Sequence, residues 1–438
     1  MTGNMIDTNE HIERVLLIGT ACSVVEKEEI DEHLTELRLL IKTLGFKTVE
    51  TLEINLKKIN PSTYIGKGKI GEIQNLISYF DIDQVIFDND LLPTQSRNLE
   101  KQLDVEVLDR SGVILEIFAQ HARTKEAKTQ IELATLEYLL PRLTRRWTHL
   151  ERQIGGIGVR GGPGEKQIEI DRRLIRTRIG KLKKELKKIK KIREVQSKNR
   201  SDQFKVALVG YTNAGKSTIM NVITNSDVLV ENKLFATLDT TVRKCVLDNF
   251  HQVLLSDTVG FIRKLPPNLV ASFRTTLKEV EDADLLLKVV DISSPFCFKQ
   301  LETVDKFLLE LGLVDTPSIV VFNKIDKRDM AVLKQAKRDH PDAVFMSALK
   351  KLRVENLKEI ILEVIADNEV EIKLKIPVSD FQTLVTLRNN TFFKQENYIE
   401  DMVHIELISD KKVWEKLRKL LPSIVGSYFV TGQVDLQK

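Results

Sequence analysis

The sequence predicts an α/β protein of several units with a phosphate-loop nucleotide domain at its centre, and three observations carry that prediction. Strand and helix patterns alternate along the first 120 residues. A basic helix between residues 169 and 196 carries an apolar seam at 4-3-4-3 spacing, and a buried strand at 204–209 runs into a glycine-rich loop ending Gly-Lys-Ser. A chain of 438 residues exceeds what one core ordinarily serves, so several domains are expected. We read them as 1–124 (α/β), 125–200 (basic helical hairpin), 201–368 (nucleotide domain) and 369–438 (small α+β).

In the first unit, Val15–Gly19 reads as a strand and Glu28–Leu44 as a helix with Ile30, Leu34, Leu37 and Ile41 on one face. Thr48–Leu52, Val85–Phe87 and Val105–Leu108 are further strand candidates, and the alternation argues for a small parallel sheet. Within it, Ile65-Gly66-Lys67-Gly68-Lys69 opens a helix. This reads either as an anion-holding turn or as a tight structural turn.

A second helix runs from Lys125 to Leu140, with Ile131, Ala134 and Tyr138 on one side, and stops at Pro141. Residues 155–164 hold six glycines and a proline and exclude regular structure. The following helix, Glu169 to about Gln196, places Ile175, Ile179, Leu182, Leu186 and Ile189 on a coiled-coil-like seam. Residues 141–200 contain 20 Lys/Arg and 6 Asp/Glu, a surplus of 14 in a chain whose total is +4, so the other 378 residues sum to −10. Such concentration suits a polyanion partner, the plainer alternative being a solvated helix face. RNA is the partner we expect: Arg142, Arg145, Arg146, Arg152 and Arg160 supply phosphate contacts, and Trp147 either stacks on a base or packs internally.

The loop Gly210-Tyr211-Thr212-Asn213-Ala214-Gly215-Lys216-Ser217 has the phosphate-loop pattern in its required strand–helix context. Glycines let backbone N–H groups turn towards the β-phosphate, and the helix N-terminus adds its partial positive charge. Lys216 is placed to reach the β- and γ-oxygens and Ser217 to ligate magnesium. Downstream, a strand ends in Asp257-Thr258-Val259-Gly260, where Asp257 suits a magnesium water shell and the Gly260 N–H a γ-phosphate. Another ends in Asn323-Lys324-Ile325-Asp326. The Asp326 carboxylate can accept both N1–H and the 2-amino group of guanine. Adenine offers neither donor, and leaving the carboxylate unpaired costs about 1–3 kcal/mol. A last strand leads into Ser347-Ala348-Leu349, whose backbone can touch the guanine O6. The combination specifies a guanine nucleotide, GTP or GDP.

Between the first two elements lies Phe235-Ala236-Thr237-Leu238-Asp239-Thr240-Thr241, where one threonine should close over the γ-phosphate and complete the magnesium shell. Thr237 is our choice, with Thr240 and Thr241 as close alternatives. Phe261 follows Gly260, where many small GTPases have a water-positioning glutamine. Slow turnover, accelerated when a partner orders the switch segments, is therefore expected, with Lys216, Thr237 and Gly260 carrying the catalytic roles. Asn213 is a candidate for holding a potassium ion that neutralises transition-state charge.

The last seventy residues read as Ile372–Pro377, a helix around Asp380–Leu387, Val403–Ile408 and a helix at Asp410–Leu421, with no catalytic constellation. Bulk composition, 42% hydrophobic and 30% charged, is that of a soluble globular protein. No apolar run approaches the ~18 residues that span a bilayer. Asp7, Glu10 and Glu13 argue against a secretory leader, and Cys22, Cys245 and Cys297 are scattered as reduced thiols would be. A cytoplasmic monomer without membrane insertion is expected.

Longer runs resemble the HflX family, ribosome-associated GTPases of the Obg–HflX group. They include Asp109-Arg110-Ser111-Gly112, the run from Phe118 to Thr124, Leu139-Leu140-Pro141-Arg142-Leu143, and the glycine loop before Asp171-Arg172-Arg173. In the nucleotide domain, Leu234–Asp239 and Asp257-Thr-Val-Gly-Phe261-Ile-Arg263-Lys-Leu265-Pro are similar to that family's switch sequences. The resemblance covers most of residues 10–367 and implies a P-loop GTPase domain. Its GTP contacts would fall on Gly210–Ser217, Phe235–Asp239, Asp257–Gly260, Asn323–Asp326 and Ser347–Leu349, with magnesium on Ser217 and Thr237. It further implies binding to the large ribosomal subunit, with ribosomal RNA near the N-terminal unit and hairpin, and splitting of stalled ribosomes. The chain departs from the pattern at Thr240, where proline is usual, at Leu349, where lysine is commoner, and in the order of its glycine loop.

Overall fold

The computed structural model describes residues 12–143, 165–198, 203–224, 234–235, 240–248, 251–263, 278–327 and 329–420. Its first unit is a parallel sheet of β1 (Arg14–Ala21), β2 (Lys47–Asn55), β3 (Gln84–Phe87) and β4 (Glu106–Asp109), in the order β2-β1-β3-β4. β1 is apolar from Val15 to Ile18 because both faces are covered there, as parallel sheets require. Val15 and Leu17 join one core, with α1 (Val24–Leu44) and α4 (Arg110–His121). Leu16 and Ile18 join the other, with α2 (Lys67–Phe80) and α3 (Pro93–Leu103). The predicted seam of α1 is fully used: Ile30, Leu34, Leu37 and Ile41 are all buried. At Gly19 a Cβ would stand 2.9 Å from Leu34, so the glycine lets α1 lie close on β1.

α5 (Lys125–Leu139) begins at Thr124, whose hydroxyl caps Ala127 N–H. It packs Leu133, Leu136 and Leu140 against Ile175, Ile179, Leu182 and Leu186 of α6 (Glu165–Lys198), and Arg178–Glu132 and Lys183–Glu137 pairs flank the seam. The glycine-rich stretch 155–164 lies outside the described residues.

The central sheet has the order β10-β9-β8-β5-β7-β6. Its strands are β5 (Lys205–Gly210), β6 (Thr241–Val246), β7 (Gln252–Asp257), β8 (Leu285–Asp291), β9 (Ser318–Asn323) and β10 (Val344–Phe345). All run parallel except β6, which is antiparallel to β7. The covering helices are α7 (Lys216–Thr224), α8 (Lys278–Glu281), α9 (Cys297–Glu310), α10 (Met330–Asp339) and α11 (Val354–Asp367). A site at the carboxyl ends of such strands is the rule for open α/β sheets.

The last unit is an antiparallel sheet, order β11-β13-β12, from β11 (Glu369–Pro377), β12 (Phe392–Ile399) and β13 (Met402–Asp410), with α12 (Phe381–Asn390) and α13 (Lys411–Leu420). Alternation buries Ile372, Leu374 and Ile376 of β11 against Val403, Ile405 and Leu407 of β13. Sequence reading missed β12: its Lys-Gln-Glu-Asn centre belongs to an edge strand with little buried surface, so it lacks the apolar alternation that marks a strand. Among the described residues, no helix is long and apolar enough to cross a membrane.

Candidate nucleotide site

The strand ends of the central sheet bring the predicted elements 210–217, 257–260, 323–326 and 347–349 to one edge. Gly210 ends β5 with φ +154, and a Cβ there would collide with the Val289 carbonyl. Gly215 has φ +96 and lies so close to the Asn323 amide that no side chain fits. Between them Asn213 takes the left-handed conformation, φ +60, which asparagine tolerates better than most residues. These constraints hold the loop in a tight arc ending at the N-terminus of α7.

Lys216 is buried, and its Nζ donates to the carbonyls of Gly210 (3.1 Å) and Tyr211 (2.9 Å). Burial pushes its pKa down to about 8, against the opposing pull of Asp257. The Ser217 hydroxyl donates to Asp257 Oδ2 at 2.5 Å, so two of the three residues expected at a magnesium ion are neighbours. This pair of hard oxygen donors fits a divalent cation of the magnesium class. Thr212 is buried, and its hydroxyl finds no partner among the described residues. Gly260 presses on the loop: a Cβ there would stand 2.7 Å from Thr212 Cα and 3.0 Å from Lys216 Nζ.

The base end is braced by Asn323. Its Nδ2 donates to the Ala214 carbonyl (3.0 Å) and its Oδ1 accepts from Ala348 N–H (3.0 Å), tying the phosphate loop to the Ser347–Leu349 turn. Lys324, at φ +64, donates to the Asn213 carbonyl (2.8 Å) and to Asp291 Oδ2 (2.7 Å). Asp326 accepts from Ser347 Oγ at 2.5 Å, and that hydrogen bond holds its carboxyl below the usual range. Ile325 is buried beneath the turn, whereas Leu349 is 68% exposed beside it.

Phe261 does not face the phosphate loop with its ring; it is buried against Phe307, centroids 4.5 Å apart. Its backbone does reach the loop: its N–H donates to Gly210 O (3.0 Å), and its carbonyl accepts from Thr212 N–H (2.8 Å).

The N-terminal unit touches this end directly. Tyr211, Leu234, Phe235, Val259 and Ile262 share one apolar core with α1 and α4, and Phe235 meets Phe118 edge to face. Arg110, 1% exposed, donates to Glu36 and to Asp88 (2.7 Å), and through Nε to the Arg263 carbonyl (3.3 Å). Burial acts against the Arg110 charge, but Glu36 and Asp88 more than offset it. Arg263 pairs with Glu32 (2.7 Å), and Lys299 with Glu29 (3.0 Å). Glu29, Glu32 and Glu36 thus form a carboxylate stripe on α1 that faces the central unit. Sequence reading missed all of these partners, and Asp291 as well.

Ala236, Thr237, Leu238 and Asp239 lie outside the described residues, as do Arg145, Arg146, Trp147, Arg152 and Arg160. Arg142 is described, and it corrects the expectation of a phosphate contact. Its guanidinium pairs with buried Asp109 (3.0 Å), donates to the Leu91 carbonyl (2.8 Å) and stacks over the Tyr138 ring at 3.8 Å. A buried carboxylate 33 positions away has claimed the charge.

Comparison with known proteins agrees with this geometry. Residues 31–119 match the family model described as GTP-binding GTPase N-terminal, 121–200 the GTP-binding GTPase Middle Region, and 205–371 the 50S ribosome-binding GTPase. The chain is 51% identical over 311 residues to GTPase HflX of Flavobacterium psychrophilum, covering 71% of this chain and 75% of that one. It is 45% identical to GTPase HflX of Magnetococcus marinus over 86% of this chain and 88% of the relative. Against GTPase HflX of Escherichia coli the identity is 37%, over 90% of this chain and 93% of that one. A solved GTP-binding protein from Sulfolobus solfataricus in complex with GDP matches at 28% identity over 81% of this chain and 99% of that one, with a TM-score of 0.42. The phosphate loop, the guanine turn, the family models and the HflX relatives lead to one conclusion: the chain belongs to the HflX family of GTPases and is a GTP-hydrolysing enzyme.

Proposed function

We propose that this GTPase associates with the large ribosomal subunit and its RNA, and splits or rescues stalled ribosomes while its nucleotide state times the encounter. The observation that carries the reading is charge placement. The surplus of 14 positive charges in residues 141–200 adjoins the GTPase domain, and on α6 Arg176, Lys184, Lys187, Lys188 and Lys191 are exposed. The central domain's match to a 50S ribosome-binding GTPase supports the same partner. The protein acts as a cytoplasmic monomer on this reading.

At the nucleotide, the loop 210–217 holds the phosphates, Asp326 reads guanine, and Lys216 offsets charge that develops between the β- and γ-phosphates. Magnesium, general to GTPases, would be held by Ser217 and Thr237, with Asp257 acting through water. It supplies charge neutralisation across the phosphates. Asn213 adds a site for potassium, so hydrolysis is faster in potassium than in sodium; equal rates remove that ion from the account.

Sucrose-gradient sedimentation of ribosomes with the protein and a non-hydrolysable GTP analogue tests the proposal. Co-migration with large subunits and a shift of whole ribosomes to subunits is expected. Co-migration without that shift makes the protein an assembly or stress-signalling switch, and no co-migration removes the ribosome reading. Reversing Arg176, Lys184, Lys187 and Lys188 to glutamate weakens particle binding and flattens its salt dependence, while GTP affinity stays constant.

A further inference from the structure

We infer that Tyr211 is a positioning residue for GTP hydrolysis: its hydroxyl holds the Gly260–Arg263 segment on the phosphate loop and ties that position to the Glu36–Arg110 pair of the N-terminal unit. The phosphate loop binds through its backbone, Lys216 and Ser217, so its second residue needs no side chain for phosphate chemistry. Here it carries a tyrosine that is 6% exposed and is directed into the contact between two units. Its hydroxyl accepts from Arg263 N–H at 3.0 Å and donates to Glu36. Burial, with the Glu36 carboxylate beside it, raises the phenol far above its usual range, so the proton needed for that donation stays in place.

Both backbone groups of Arg263 belong to this one network. Its N–H goes to Tyr211, and its carbonyl goes to Arg110, which also holds Glu36. Two residues earlier, both backbone groups of Phe261 are bonded to the phosphate loop, at Gly210 and Thr212. Four hydrogen bonds therefore fix a three-residue stretch immediately after Gly260, which itself packs on Thr212 and Lys216. The fixation matters because Phe261 is turned into the core and contributes no polar group to an attacking water. Backbone placement carries what a side chain carries elsewhere, and a misplacement of about 1 Å at a reacting centre costs about 100-fold in rate.

The inference depends on the GTPase assignment and not on the ribosome reading. It is tested with the full chain alone, by GTP turnover at varied substrate concentration. Tyr211→Phe is expected to lower kcat about tenfold while KM, GDP affinity and melting temperature hold within about twofold or a few degrees. Glu36→Leu removes the acceptor of the Tyr211 hydroxyl and also the ion pair with Arg110, so it is expected to lower kcat at least as far, and the double variant to fall no further than Glu36→Leu alone, because Tyr211 acts through that shared contact. Wild-type turnover in Tyr211→Phe overturns the inference, as does a fully additive double variant. A GDP affinity that falls in step with kcat overturns it too, since that marks general support of the loop. Failure of the unaltered chain to hydrolyse GTP would instead refute the GTPase assignment.

Discussion

At the base end of the site the bracing contacts come from the central unit itself; at the phosphate end another unit supplies part of them. Asn323 ties Ala214 to Ala348, Lys324 ties Asn213 to Asp291, and Ser347 orients Asp326, all among loops of one sheet. Tyr211 and the segment after Gly260 are instead fastened to Glu36, Glu32 and Arg110, carried by α1 and α4. The difference separates two tasks. The proposed reading of guanine is local and self-contained. The placement of the segment proposed to meet the γ-phosphate is shared with the N-terminal unit, so anything that moves that unit should bias the switch.

The comparison can be broken most severely at Arg110. Its removal in Arg110→Met takes the guanidinium away from half-buried Glu36 and buried Asp88, and losing one member of a buried pair costs about 3–5 kcal/mol. Urea unfolding should show that loss, while the preference for guanine over adenine nucleotides persists in the folded fraction. Asp326→Asn acts at the opposite end. It should weaken GTP by about 1–3 kcal/mol, roughly 5- to 150-fold, with unfolding unchanged. Fluorescent-nucleotide titration should also show a gain for the xanthine analogue, whose 2-carbonyl suits an amide donor. Phe261→Gln probes the boundary between the ends: it buries an amide beside Phe307 and costs about 1–3 kcal/mol. Hydrolysis by that variant should not rise; a faster enzyme would mean that the side chain can leave the core. The smallest effect belongs to Lys299→Ala. That lysine is 47% exposed and its pairing with Glu29 lies at the rim, so stability should fall by less than about 1 kcal/mol and turnover should hold.

The base end was legible in the sequence because its parts are short motifs at strand ends, where chemistry dictates residue type and spacing. The α1 seam was legible for the same local reason, as 3.6-residue periodicity. The phosphate-end network was not. Glu36 meets Arg110 across 74 positions and Tyr211 across 175, and no pattern in a window of sequence carries such a pairing. Arg142 shows the converse error. It counts towards a basic segment, but Asp109, reached only through the fold, neutralises it. β12 escaped because an edge strand with a polar centre has no buried face to write into its sequence. The basic surplus of residues 141–200 remains a fact of composition, and the exposed cations of α6 are where it meets solvent.

Amide hydrogen exchange of the full chain, compared between GDP and a non-hydrolysable GTP analogue, tests the shared phosphate end most directly. The account predicts that exchange changes in the Glu29–Glu36 stretch of α1 and the first turns of α4, which touch Tyr211 and Arg263. It predicts no change in the β11–β13 sheet of the last unit. Identical exchange of α1 and α4 in the two nucleotide states would contradict it.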